Sequence, residues 1–309
     1  MESNKMYNSF LDDFKNVWNK PNNTLPQIII INVIIWVSLV LLYFFGQFID
    51  VIEVVRQFIN DQFTIPARIE QFIFRPWSIV TYAFNHSLGD IWHIIMNMLM
   101  LYWFGRLIVE YLGTAKLISL YILGAMAGGV MFLIAYNTIP FLIERSYNSS
   151  MVGASGAVYA ITVAAATLIP NYTFFLVFLG PVRIKYIAAF GIFLSFIGST
   201  GSNAGGNIAH LGGAFLGYIF IKQLQSGTDI GAWVHNVIAF FKSFFTRQSN
   251  IKVSHKKSGS YGGTRSRRAG ASSKIDQAEI DAILDKISQS GYESLSKEEK
   301  QKLFNASKK

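Results

Sequence analysis

The sequence predicts an all-α polytopic membrane protein with six transmembrane helices and a small helical C-terminal tail. Hydrophobic residues make up 51% of the 309 positions and charged residues only 15%, whereas about 25% of an ordinary soluble chain is charged. Up to residue 225 the sequence contains several apolar runs. Their lengths are close to the roughly 20 residues that a spanning helix needs. The net charge of +9 lies almost wholly after these runs, because residues 242–309 hold 15 Lys and Arg against 7 Asp and Glu.

The composition also argues against several classes of protein. So little charge cannot cover a soluble surface, so a plain soluble enzyme does not fit, and neither does a disordered or collagen-like chain. The absence of Cys excludes disulfides, thiolate catalysis and Cys-ligated zinc or iron–sulfur sites. The basic tail is typical of positive charge kept on the cytoplasmic side of a membrane, and we expect no nucleic-acid partner.

Six apolar runs define the predicted transmembrane domain, residues 25–225. Before them, residues 1–24 place Phe10, Phe14 and Trp18 at helical spacing, which predicts an amphipathic helix on the cytoplasmic surface. Basic residues in the short connections mark the same side, so we expect both termini in the cytoplasm. The predicted spans are Gln27–Phe45, Ile91–Ile108, Leu117–Ile134, Met151–Ile169, Val182–Gly198 and Asn207–Ile221.

Three segments follow the last span. Residues 226–246 carry aromatic side chains at helical spacing, which predicts an amphipathic helix at the membrane interface. Residues 247–274 contain eight Lys and Arg and no acid, so we expect a flexible basic linker near anionic lipid. Residues 275–309 predict a small cytoplasmic helical hairpin, in which Ser296 and Glu299 form a capping box opening the second helix.

Polar residues inside three of the spans are the candidates for chemistry, because a polar group in a bilayer is costly unless it has a function or a partner. The second span has His93 and Asn97 four residues apart, and therefore on one helical face. The fourth span contains Ser155 near its start, and the sixth contains His210. These three spans run inward from the outer face, so the three sites are predicted to share one layer near the outer surface.

This layer predicts nucleophilic catalysis by a serine–histidine dyad. A serine hydroxyl becomes a nucleophile when a base such as His210 lies within about 2.6–3.2 Å to take its proton. Spans four to six contain no Asp or Glu, so these helices permit no triad with a carboxylate. Tyr159 lies one turn beyond Ser155 and is expected to stack on the His210 ring. The Ser155 backbone N–H, His93 and Asn97 are candidate oxyanion donors.

In this order and spacing, the motifs resemble those of the rhomboid family of intramembrane serine proteases over about residues 25–225. The resemblance implies a six-helix rhomboid-like bundle with Ser155 as nucleophile, His210 as base, and His93 and Asn97 as oxyanion donors. The motifs that carry it are Arg75-Pro76-Trp77, Phe84-Asn85-His86, His93-x-x-x-Asn97, Gly153-Ala154-Ser155-Gly156 followed by Tyr159, and Ala209-His210-x-x-Gly213-x-x-x-Gly217.

Glycines support this reading of the site. Gly153 and Gly156 belong to the serine motif. Gly213 and Gly217 are interpreted as packing residues that draw span six towards span four, and so bring His210 to Ser155.

The sequence therefore predicts an intramembrane serine endopeptidase that cleaves single-pass or multi-pass transmembrane proteins near the outer membrane face, without cofactor or metal. The alternative is a catalytically inactive rhomboid-like protein that binds transmembrane helices for trafficking or quality control. A membrane zinc protease does not fit, because no His-Glu-x-x-His motif occurs. A channel or transporter is a further alternative. The predicted location is the bacterial cytoplasmic (inner) membrane.

Overall fold

The computed structural model describes residues 10–20, 23–245, 277–290 and 294–306. The chain forms two compact units, Met1–Gln248 and Ser249–Lys309. Within the first unit the described helices are α1 (Phe10–Asn19), α2 (Thr24–Phe48), α3 (Ile52–Phe63), α4 (Ile69–Phe72), α5 (Ser78–Thr81), α6 (Ile91–Leu112), α7 (Thr114–Thr138), α8 (Pro140–Ile143), α9 (Ser155–Leu168), α10 (Ile184–Gly198), α11 (Ala204–Gln225) and α12 (Ala232–Phe245).

Four of the described helices are long and apolar enough to cross a membrane, namely α2, α6, α7 and α11. They contain the first, second, third and sixth predicted spans, and each extends beyond its predicted span at one or both ends. An all-α, multi-pass membrane fold is therefore confirmed. The count of six crossings stays a prediction, because α9 and α10 have only 14 and 15 residues.

The fourth predicted span begins too early. Ser150–Met151 is strand β2, which pairs antiparallel with strand β1 (Ile65–Pro66), and α9 begins only at Ser155. The expected helical start at Met151 is therefore wrong, because its backbone groups are satisfied by a neighbouring strand and not by a helix.

A β-hairpin joins α9 to α10. Strand β3 (Thr173–Leu176) pairs antiparallel with strand β4 (Gly180–Arg183), so α10 begins at Ile184 and not at the predicted Val182. The side chains around the tip of the hairpin are apolar and 74–96% exposed: Phe175, Val177, Phe178 and Leu179.

Helix α9 packs against α6, α7, α10 and α11. Its buried residues are mostly Ala and Val, which lets neighbouring backbones approach closely. A Cβ atom on Gly213 would collide with the carbonyl oxygen of Gly156, and one on Gly217 would collide with that of Ala160. These contacts are the close approach of spans six and four that the glycine spacing predicts.

The connection between α2 and α6 is structured. Helix α3 packs buried apolar side chains against α2. Thr81 Oγ1 donates to the carbonyl of Gln62 over 2.6 Å, and Asn85 Nδ2 donates to the carbonyl of Phe63 over 3.1 Å. These bonds hold α5 and the following turn against the end of α3, and so fix the chain just before α6.

The segment after α11 docks on the N-terminal end of α7. Lys116 and Asp229 form a short ion pair. Ser119, which is fully buried, donates from Oγ to the carbonyl of Gly231 over 3.0 Å, and the same oxygen lies 3.0 Å from His235 Nε2. Helix α12, in the segment predicted to be interfacial, is held to α7 by these contacts.

The second unit contains α13 (Gln277–Ser290) and α14 (Lys297–Ala306). The predicted capping box is present: the Ser296 N–H donates to Glu299 Oε2 over 2.7 Å, and the Glu299 N–H donates to Ser296 Oγ over 3.3 Å. Lys286 pairs with Glu299 at 2.9 Å. The predicted linker, residues 247–274, lies outside the described residues.

Candidate active site

A cavity of about 850 Å³ lies where α6, α9 and α11 begin. Its polar lining includes His93 and Asn97 from α6, Ser155 and Tyr159 from α9, and His210 from α11. The residues that the sequence predicts in one layer therefore share one cavity, although they come from three separate helices.

Ser155 is positioned by a tight turn at the start of α9. Gly153 has a φ of +121°, a conformation that glycine adopts readily and other residues rarely do. Its N–H donates to the carbonyl of Tyr82 over 3.0 Å. The turn delivers Ser155 to the first position of the helix, where the backbone N–H groups lack intrahelical acceptors and the helix dipole is positive. This is a favourable place to stabilise an anion.

His210 is held by contacts on two sides of its ring. Tyr159 stacks on it, with ring centroids 4.1 Å apart and an interplanar angle of 7°. Ser195 Oγ lies 3.0 Å from His210 Nδ1. Because Nδ1 is occupied, Nε2 is the ring nitrogen left for chemistry in the cavity.

His93 presents a donor near Ser155. The Ser87 N–H donates to His93 Nδ1 over a long 3.5 Å, so Nδ1 is the acceptor and Nε2 carries the proton of the neutral ring. A Cβ atom on Gly153 would lie 2.8 Å from His93 Nε2 and 3.8 Å from Ser155 Oγ, which places both atoms around one small space.

Asn97 has half of its amide donor capacity committed to its own helix. Its Nδ2 donates to the carbonyl of His93 over 2.7 Å. An amide nitrogen carries two hydrogens, so one remains for a group in the cavity.

The expected dyad is not closed by a hydrogen bond. Among the bonds of the described residues, His210 is joined to Ser195 and not to Ser155, although both members of the dyad line the same cavity. Such geometry is common without substrate, because catalytic hydrogen bonds often tighten only when substrate binds.

The sequence model of the rhomboid domain matches residues 74–225, a range that contains every polar cavity residue discussed above. This domain belongs to the rhomboid family. The first predicted span lies outside the matched range.

Three curated rhomboid relatives resemble the chain over part of its length. RHOMBOID-like protein 12, mitochondrial, of Arabidopsis thaliana is 34% identical over 160 residues, which cover 48% of this chain and 47% of the relative. Rhomboid protein 1, mitochondrial, of Saccharomyces cerevisiae is 32% identical over 46% of this chain and 40% of its own length. Rhomboid-like protein 16, chloroplastic, of Arabidopsis thaliana is 33% identical over 31% and 32%. The chain thus spans about half or less of these relatives.

The C-terminal end of the chain matches a family model other than that of the rhomboid domain. Residues 271–309 match a family of unknown function (DUF6576). This range includes α13 and α14, so the rhomboid domain and the tail are matched by separate families.

Two more residues lie beside this cavity: Ser195, which the sequence does not single out, and His86, which appears in the sequence only as part of the Phe84-Asn85-His86 motif, without an assigned role. Ser195 in α10 is 1% exposed, and the one available signal was its spacing from Gly191, which marks a helix face suited to close packing. His86 lies edge-on to His93, with ring centroids 5.4 Å apart. Neither His86 ring nitrogen has a hydrogen-bond partner among the described residues.

Proposed function

We propose that this rhomboid is an intramembrane serine endopeptidase in which Ser155 is the nucleophile and His210 the general base. Family membership supports an intramembrane protease or a rhomboid-like function. The finer proposal is supported by one observation above all: Ser155 at a helix N-terminus shares a cavity with an imidazole whose ring is fixed by stacking and by a bond to Nδ1.

The proposed reaction begins when His210 Nε2 takes the proton of Ser155 Oγ. The oxygen then forms a bond to the carbonyl carbon of the scissile peptide, and the carbonyl π electrons move onto its oxygen. The resulting imidazolium returns its proton to the peptide nitrogen, which leaves as the amine. Water, activated by the same imidazole, hydrolyses the acyl-enzyme and regenerates Ser155.

Three donors are proposed for the tetrahedral oxyanion. The Ser155 backbone N–H has no intrahelical acceptor, His93 presents Nε2–H, and Asn97 retains one amide hydrogen. Donors fixed before the reaction do not have to reorganise as charge develops, and removing one such donor typically costs about 100- to 1,000-fold in kcat.

We propose single-pass or multi-pass transmembrane proteins as substrates. The backbone of a spanning helix is fully hydrogen-bonded, so a scissile carbonyl reaches Ser155 only after local unwinding. Substrates are therefore expected to carry small, helix-weakening residues near their outer membrane boundary. Membrane lipids are the surrounding partner, and the basic segment 247–274 is proposed to contact anionic lipid.

The proposed sidedness places the cavity at the outer face and both termini in the cytoplasm. Basic residues such as Lys116, Arg183 and Lys222 support it, because they lie at the ends of α7, α10 and α11 opposite the cavity. The matched relatives are named for mitochondria and chloroplasts, so they lend no support to the bacterial inner membrane that we predicted from the sequence.

The deciding experiment compares wild type with Ser155→Ala and His210→Ala in liposomes that contain a panel of single-pass transmembrane substrates. A fluorophosphonate probe supplies a readout that needs no natural substrate, because it labels only an activated serine. We expect cleavage and labelling by wild type alone. Absence of both in wild type, or equal cleavage by all three proteins, would favour the inactive helix-binding alternative.

A further inference from the structure

Ser195 is a buried hydroxyl that connects the two rings of the site. It lies in α10 and is 1% exposed. Its Oγ donates to Tyr159 Oη over 3.2 Å and lies 3.0 Å from His210 Nδ1. Tyr159 Oη in turn donates to the backbone carbonyl of Gly191 over 3.3 Å. Four groups thus form one chain of hydrogen bonds, and they come from α9, α10 and α11.

The direction of this chain follows from its last member. A carbonyl oxygen only accepts, so Tyr159 must donate its single hydroxyl hydrogen to Gly191. The Tyr159 oxygen then accepts the hydrogen of Ser195. Because Ser195 has no second hydrogen to give, its oxygen must accept from His210, and Nδ1 must carry a proton.

The protonated Nδ1 has a consequence for the base. A neutral imidazole carries one proton, so Nε2 holds the free lone pair that general-base catalysis needs. When Nε2 takes the proton of the nucleophile, Nδ1–H becomes part of an imidazolium and its bond to Ser195 becomes charge-assisted and stronger. In serine–histidine–aspartate enzymes a carboxylate holds the histidine tautomer in this way, whereas α9, α10 and α11 contain no carboxylate.

Contacts other than those of Ser195 also hold α10 in place. Asn207 Nδ2 donates to the carbonyl of Gly198 over 3.0 Å, which fastens the end of α10 to the start of α11. The Tyr159 ring also packs against Gly191, where a Cβ atom would meet it at 3.4 Å. These contacts remain when the Ser195 hydroxyl is removed, so its removal tests the hydrogen bond more than the packing.

We propose that Ser195 is a positioning residue that fixes His210 in the Nδ1–H tautomer and steadies its charged form during catalysis. This inference rests on the proposed function, since it assigns His210 the role of base. It adds to that function a chain of hydrogen bonds that supports the dyad. The chain runs from His210 through the hydroxyls of Ser195 and Tyr159 and ends on a backbone carbonyl.

The kinetic test compares Ser195→Ala with Ser195→Thr. Loss of one hydrogen bond to a charged group predicts a fall in kcat of roughly 10- to 100-fold for Ser195→Ala with little change in KM. Ser195→Thr keeps the hydroxyl and is expected to retain most of kcat. Ser119→Ala is the matched control, because Ser119 is equally buried and its Oγ lies 3.0 Å from His235 Nε2, away from the cavity. Wild-type kcat in Ser195→Ala would overturn the proposal.

A spectroscopic test separates this inference from the proposed function. Ring-¹⁵N-labelled protein in bicelles reports which His210 nitrogen is protonated, with His210→Gln used to assign the signals. We expect Nδ1–H to dominate in wild type and in Ser195→Thr, and a mixed population in Ser195→Ala. An Nε2–H ring in wild type, or an unchanged ring in Ser195→Ala, would contradict the inference. A protein with the expected tautomer but neither cleavage nor probe labelling would instead contradict the proposed peptidase activity.

Discussion

At the residue scale, the site depends on one backbone conformation as much as on its polar side chains. Gly153 holds a positive φ while its Cα faces the ring of His93. A side chain here would meet two separate obstacles, the strained backbone and the imidazole. Since Ser155 follows two residues later, any shift of this turn moves the proposed nucleophile relative to its proposed donors.

Gly153→Ala is therefore expected to lower activity by about 100-fold or more, because the new methyl group would displace His93. Gly180→Ala is the matched control: Gly180 also has a positive φ of +69°, but a Cβ there would meet nothing within 4 Å. Backbone strain alone predicts a cost of about 1 kcal/mol and normal turnover for Gly180→Ala. Peptidase assays and thermal unfolding in detergent micelles measure both quantities. Wild-type activity in Gly153→Ala would contradict the prediction.

Candidate site residues are unequally visible in the sequence. Ser155, His210, His93 and Asn97 stand out because a polar group in an apolar helix is conspicuous and because the motifs occur in a characteristic order, and their roles stay predictions. Ser195 is equally polar but has no motif around it. Its proposed role rests on the contact with His210 and on a chain of hydrogen bonds that ends at a backbone carbonyl, and neither is visible in a linear sequence pattern.

At the element scale, long apolar runs predicted the presence of helices well. They predicted poorly where a helix begins when an irregular segment precedes it. Helices α2, α6, α7 and α11 contain their predicted spans because nothing competes with helical hydrogen bonding in a long apolar segment. The start of α9 was misplaced because Met151 pairs with Ile65, which lies far away in sequence. Tertiary pairing of this kind carries no local signal.

The hairpin between α9 and α10 carries apolar side chains at its tip that suit the membrane interface. Helix α9 has 14 residues, or about 21 Å, which is shorter than a hydrocarbon core of about 30 Å. With α9 starting at the proposed outer face, we expect its other end to lie within reach of the bilayer, where the exposed tip side chains Phe175, Val177, Phe178 and Leu179 extend the apolar surface. Lys185, just after the hairpin, suits the headgroup level.

We expect the tip of the hairpin to insert into lipid. The chain has no Cys, so Phe178→Cys labelled with an NBD fluorophore provides a single reporter. In liposomes its emission should be blue-shifted and quenched by acyl-chain doxyl lipid. The same label on Ser226→Cys, an exposed turn residue after α11, should show neither effect. Equal quenching at both positions would contradict insertion.

The contact between the α11–α12 turn and α7 predicts a pH effect. The hydrogen bond from Lys116 holds the pKa of Asp229 below its ordinary value. A carboxyl with a lowered pKa stabilises the folded state above its ordinary pKa of about 3.9, and this contribution is lost as the pH falls through the lowered value. The pair is partly exposed, with 20% and 31% of its side chains accessible, so the contribution is at most about 1 kcal/mol.

Asp229→Asn should therefore unfold at a lower temperature than wild type at pH 7, and the difference should shrink as the pH falls below about 3.9 and disappear below the lowered pKa of Asp229. Thermal unfolding in detergent micelles as a function of pH measures it. Glu53→Gln is the control, because the Glu53–Arg56 pair is much more exposed and is expected to contribute nothing measurable. A difference that persists unchanged to pH 3 would show that Asp229 acts through something other than its charge.

At the scale of the whole molecule, charge and cavity lie at opposite ends of the same helices. Helix α11 has His210 within its first two turns and Lys222 in its last turn. Helix α7 has Lys116 near its start, at the end opposite the cavity. This polarity follows from the sequence alone, because the positive-inside rule uses only the order of apolar runs and basic residues. The extent to which α9 and α10 cross the bilayer does not follow from it, since both helices are short.

Sidedness can be tested directly because the chain has no Cys. Ser202 lies in the exposed turn before α11, beside the cavity, and Ser226 follows the other end of that helix. In sealed right-side-out vesicles, a membrane-impermeant maleimide should label Ser202→Cys at once and Ser226→Cys only after permeabilisation. Labelling of both from outside would mean that α11 does not cross the bilayer. Labelling of Ser226→Cys alone would invert the topology and place the cavity on the cytoplasmic side, where substrates would have to unwind near their inner boundary.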